Sequence, residues 1–235
     1  HQLAVRLEGG VNVLQDQGRA ARLFDRACEG GVVASCGELG SMYEDGDGVD
    51  HDLSRAAELF ERACEGEDAR SCARIATLRA DGEGVDRDPA RAAEMYERAC
   101  DGGVVEGCLE LGRAYASGSG VTRDPGRAAE GFREACDGEE TTGCFRLGEL
   151  YAEGEGVDRD VAEAAALYGQ ACDDRHGESC YRLGLFHQEG AGVAADPARA
   201  AELILRACRL DHEEACPQED DENGGGAEGR GEDAP

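Results

Sequence analysis

Apolar residues along this chain keep a helical spacing that restarts at a fixed interval. From Cys144, the residues Cys144, Leu147, Gly148 and Tyr151 fall at i, i+3, i+4 and i+7, one face of a helix. The same face returns 36 residues earlier as Cys108, Leu111, Gly112 and Tyr115, and 36 later as Cys180, Leu183 and Gly184. A second helical pattern follows each first one: paired alanines, a bulky pair such as Leu59 and Phe60 or Leu167 and Tyr168, then an alanine and a cysteine. Between the two patterns lies a G-x-G-V loop, opening at Gly46, Gly82, Gly118, Gly154 and Gly190. Asp52, Asp88, Asp124, Asp160 and Asp196 stand where each second helix begins. Aspartate is a favoured N-cap because its carboxylate accepts the free N–H groups of the first turn. Pro89, Pro125 and Pro197 come next, at the helical position that tolerates proline.

A fixed period of this length marks a repeat array, in which each unit buries its apolar face against its neighbours. The pattern predicts an all-α fold: an α/α solenoid, wound as a right-handed superhelix, of 36-residue helix pairs over residues 1–216. Residues 1–35 read as a truncated first unit, and full units open at Cys36, Cys72, Cys108, Cys144 and Cys180. Residues 217–235 are acidic and glycine-rich without apolar periodicity, and are expected to be a disordered tail.

Composition sharpens this picture. Aromatic residues make up 5% of the chain and there is no Trp, which suits many small helix contacts better than a large β core. The net charge of −28 argues against nucleic acid and anionic membranes as partners, since binding to phosphate needs clustered cations. Every basic residue is Arg, a skew expected of a GC-rich bacterial genome. A partner carrying basic groups suits the negative field. No run of about 18 apolar residues occurs to span a membrane. A chain opening at His1 reads as processed or as a fragment, so a lost leader or lipid anchor remains compatible.

The 12 cysteines form the series 28, 36, 64, 72, 100, 108, 136, 144, 172, 180, 208 and 216. Along one continuous helix a C-x7-C pair would be separated by about 12 Å, too far for a disulfide, whose Cα atoms lie roughly 4.4–6.8 Å apart. A bridge within a pair needs a chain reversal, and the glycines at 30, 66, 102 and 138 permit one. Zinc is the rival reading, though this spacing lacks the C-x-x-C or paired His of structural zinc sites. Free buried thiols are the third. Bridged cysteines would place the chain in an oxidising compartment.

The recurring A/C-x-x-L-G-x-x-Y-x-x-G-x-G-V-x-x-D-x-x-x-A-A-x-x-Y-x-x-A resembles Sel1-like repeats, relatives of the tetratricopeptide repeat. The added cysteine pairs resemble the Helicobacter cysteine-rich protein subgroup. That resemblance implies helix pairs stapled by Cys28–Cys36, Cys64–Cys72, Cys100–Cys108, Cys136–Cys144, Cys172–Cys180 and Cys208–Cys216. It also implies a monomeric, extracytoplasmic scaffold (periplasmic, secreted or at the cell surface) that binds a protein or extended peptide without catalysis. The alternative it carries is weak penicillin-binding or β-lactamase-like activity. Departures from the pattern are local: Ile75 and Ala76 replace Leu-Gly, Arg79 and His187 replace the Tyr, and Gly131 replaces a bulky core residue.

The residues argue against an enzyme. A serine β-lactamase needs Ser-x-x-Lys and Lys-Thr-Gly, and this chain contains no Lys. The five histidines (1, 51, 176, 187 and 212) read as standing at unrelated repeat positions and form no H-x-H or H-E-x-x-H motif. No cofactor or metal is expected. The stretch Asp45 to Asp52 is rich in carboxylates, but Val49 takes a position where a calcium loop needs oxygen, so it reads as a helix connection. Variable positions on the first helices are better candidates for function. Arg and aromatic side chains are favoured interface anchors. Arg74, Arg113, Arg146, Arg182, Phe145 and Tyr181 are therefore expected to line a concave partner-binding surface.

Overall fold

The computed structural model describes residues 16–216. The acidic tail and the opening of the first unit lie outside the described residues. Eleven α-helices follow one another, with no strand among the described residues: α1 Gln17–Glu29, α2 Val33–Asp45, α3 Leu53–Glu65, α4 Ala69–Asp81, α5 Pro89–Asp101, α6 Val105–Ser117, α7 Pro125–Asp137, α8 Thr141–Glu153, α9 Val161–Asp173, α10 Gly177–Glu189 and α11 Pro197–Cys208. A short 3-10 turn, Glu213–Ala215, closes the series. Each helix packs mainly on the next in sequence. Even-numbered helices from α2 onward are the first helix of a unit and odd-numbered helices the second. No helix among the described residues is long and apolar enough to cross a membrane.

Two kinds of junction alternate along the array. Within a unit, small residues of the first helix receive a ring from the second. A Cβ added to Gly112 would lie 2.6 Å from Phe132, and one added to Gly40 would lie 2.7 Å from Phe60. Only glycine lets the helices approach this closely. Between units the contact is covalent. All six C-x7-C pairs are bridged, with Cα atoms 4.5–4.8 Å apart, and each ties the end of a second helix to the element that follows it.

The second helices start as their sequence dictates. Asp52, Asp88 and Asp124 accept from the amides of Arg55, Arg91 and Arg127, three residues on. Asp160 and Asp196 do the same for Glu163 and Arg199. The first helices open three residues ahead of the cysteine that marks each unit.

The reversal between bridged cysteines differs from the expectation. Gly66 keeps a negative φ of −84°, and the left-handed residue is Glu67 at φ 68°. Glycine stands at 66 for space: a Cβ there would lie 2.5 Å from Val33 of the preceding first helix. Gly131 is a second surprise. At the place of its missing side chain α7 approaches the first helix closely: a Cβ would lie 2.9 Å from the Cys108 carbonyl oxygen and the Gly112 nitrogen.

Candidate partner-binding face

Arg74, Arg113, Arg146 and Arg182 all project from first helices and stand about half-exposed, at 46–48% of the side chain. Each is held by one carboxylate. Arg113 pairs with Glu110 at 2.6 Å, Arg146 with Glu149 at 2.8 Å and Arg182 with Glu178 at 2.7 Å, all within one helix. Arg74 reaches back to Glu44 on the preceding first helix. Exposed pairs of this kind contribute about 0–1 kcal/mol, so a competing carboxylate or backbone carbonyl can recruit the guanidinium at small cost.

The two aromatic positions face elsewhere. Phe145 is buried, 6% exposed, with its ring against His176 at 4.7 Å and Tyr168 at 5.9 Å. Arg146 rests over that ring, its Cζ 5.4 Å from the centroid. Tyr181 is half-buried and packs on His212 at 4.9 Å. Phe145 therefore forms the underlay of the adjacent Arg146.

Two clefts open between successive first helices. One, of 280 Å³, lies between α4 and α6, with Ala92, Ala93 and Tyr96 of α5 as its floor. The Tyr96 hydroxyl is 3.1 Å from Thr77 Oγ1, and burial pushes the phenol above its ordinary range. Asp81, Glu106 and Glu110 face this cleft with Arg113 as the one cation among its lining residues. Burial raises the Glu110 carboxyl above its usual range, and Arg113 opposes the shift while Glu106 and Asp81 add to it. The other cleft, of 450 Å³, lies between α6 and α8 over Phe132, with Arg146, Glu149 and Glu153 at its far side. Arg113 and Ser117 line both.

Other candidates resolve into structure. In the Asp45–Asp52 stretch, Asp52 caps α3 and His51 Nδ1 lies 2.7 Å from the Glu44 carbonyl. Cys100, Cys108 and Glu134 come together in a group of metal-ligating residue types, but the two sulfurs are bonded to each other and offer no thiolate.

The helix-pair period and the G-x-G-V connection recur in each of the five full units, and the packed glycine in four of them. The model of the Sel1 repeat matches residues 1–32, 33–68, 69–104, 105–139, 141–176 and 177–212. The chain belongs to the Sel1 repeat family. From the second Sel1 repeat onward, the matched segments open at the first residues of α2, α4, α6, α8 and α10. Among solved structures, this Sel1 array is similar to a protective antigen present in uropathogenic Escherichia coli strains, with 27% identity and a TM-score of 0.85. The match covers 91% of this chain and 46% of that one, so the chain spans about half the antigen's length. It is also similar to a Sel1 repeat protein from Oxalobacter formigenes, 25% identical with a TM-score of 0.72, over 88% of this chain and 85% of that one. Helicobacter pylori cysteine rich protein B is 31% identical over 57% of this chain and 97% of its own, with a TM-score of 0.45. No curated protein matches the chain.

For one pair of histidines the expectation of unrelated positions fails. His176 and His212 stand 36 residues apart, in the same register of consecutive Sel1 repeats, each against an aromatic ring. Their shared register was the available signal.

Proposed function

We propose that this Sel1 array is a non-catalytic scaffold that binds an extended peptide or a protein segment along its first helices, outside the cytoplasm. The observation that carries the reading is the pair of adjoining clefts sharing Arg113 and Ser117. A segment laid across α4, α6 and α8 would meet the Tyr96 floor, Arg113, the Phe132 floor and Arg146 in turn. Phe145 acts from beneath, holding Arg146. The rim formed by Asp81, Glu106 and Glu110 suits a basic side chain in the partner, its aliphatic stem on Tyr96 and its charge among the carboxylates.

The bridges support the location. Disulfides form and persist in oxidising compartments, which favours the periplasm, the cell surface or the medium. They also support the mechanism, because a face held rigid before binding loses less entropy on association.

Selection of displayed random peptides on the oxidised chain tests the reading. The expected outcome is enriched sequences, basic residues among them, that bind the native chain and lose binding once it is reduced and carboxymethylated. Enrichment no greater than on an unrelated helical protein would overturn it.

A further inference from the structure

The register shared by His176 and His212 is the position before each first helix. Elsewhere it holds Val32, Asp68, Val104 and Glu140. Asp68 and Glu140 use it as a side-chain cap, accepting from the Ser71 and Thr142 amides. His176 takes the same role for α10 through its ring: Nδ1 lies 3.2 Å from the Ser179 amide nitrogen and 2.8 Å from Ser179 Oγ. A backbone amide only donates, so Nδ1 must present a lone pair. The cap therefore works with a neutral ring protonated on Nε2. Ser179 is fully buried, which leaves its amide poorly placed to find water instead.

We propose that His176 is an acid-sensitive N-cap, whose protonation releases the first turn of α10 and loosens the last repeat from the rest of the array. Protonation would convert Nδ1 from acceptor to donor, facing an N–H. It would also place a cation at the positive end of the α10 dipole. Asp68, in the same register of α4, caps through a carboxyl oxygen and has no ring N–H to turn toward the amide, so it serves as the comparison.

The surroundings point the same way. Burial against Phe145 disfavours the charged ring most, and Arg146 on α8 and His212 beyond α11 add to this. Glu178 on α10 and Glu149 on α8 oppose them, and the balance holds the ring below its ordinary 6.5. The unfolded chain thus binds this proton more readily than the folded one. The contribution to stability is complete above about pH 6.5 and declines as the pH falls through that value toward the lower folded pKa.

Amide exchange of the full oxidised chain at pH 7.5 and 5.0, corrected for intrinsic rates, tests this, with the start of α4 as internal control. In the native sequence, protection over 177–185 should fall about fivefold relative to α4 at the lower pH, the equivalent of a lost cap. His176→Asp should hold its protection at both values, and His176→Ala should lack it at both. Equal pH dependence in the native and His176→Asp chains would overturn the proposal. NMR of the native chain gives a second test that needs no variant: Nε2–H at neutral pH and titration below 6.5 are expected, and an Nδ1–H tautomer or titration at or above 6.5 would overturn it.

Discussion

Arg62 Nη2 donates to the carbonyl oxygen of Cys28 at 2.7 Å, so a residue of α3 closes the last turn of α1 one repeat away. Arg98 repeats the contact on Cys64 at 2.5 Å, while the register holds Glu at 134 and Gln at 170. The Cys28 oxygen already accepts from the Gly31 amide, so the guanidinium takes its second lone pair and opposes the negative end of the helix dipole. Arg62→Ala should lower stability by about 1 kcal/mol. Glu134→Arg should raise it by a similar amount by supplying the missing contact to Cys100. Urea midpoints of the oxidised chain check both signs.

Cys100→Ala with Cys108→Ala removes one staple from the middle of the array. A loop this short constrains the unfolded chain by about 2.5 kcal/mol on the chain-entropy account, so a loss near that size is expected. In an array with nearest-neighbour coupling, the loss should show as faster amide exchange in α5 and α6 before the ends respond.

Positions 66 and 67 separate space from backbone strain. Gly66→Ala should destabilise by about 1–3 kcal/mol, because its Cβ runs into Val33. Glu67→Gly should stabilise by roughly 1 kcal/mol by relieving a left-handed glutamate at φ 68°. Gly31 and Gly103 already hold that register elsewhere at positive φ. Thermal unfolding of the two variants should move in opposite directions.

Gly131 shows where the sequence stopped being legible. Its register holds Leu59, Met95, Leu167 and Leu203, so the pattern alone favours Gly131→Leu as a repair. The close approach of α7 to the backbone of Cys108 and Gly112 makes the same change destabilising by about 1–3 kcal/mol, measurable as a lower urea midpoint.

Features that depend on a single residue's chemistry could be read directly from the sequence. The aspartate caps, the small residues under aromatic rings and the cysteine pairs each signal one local requirement. What could not be read were properties shared between units. Gly66 answers to Val33, 33 residues away, and the glycine at 131 to the close backbone of Cys108 and Gly112. The exposure of Arg146 was legible from the variation of its register within a constant frame. The inward turn of Phe145 was not, because helical spacing leaves that position on the border between core and surface, and contact with His176 and Tyr168 decides it.

The most direct measurement is the affinity of a selected peptide for two double variants of the oxidised chain. Arg113→Ala with Arg146→Ala removes the guanidiniums that border the shared cleft. Arg55→Ala with Arg199→Ala removes two similarly exposed, similarly paired arginines from second helices. The account predicts a loss of at least about tenfold for the first variant and little change for the second. Equal affinities for both variants and the native chain would contradict it.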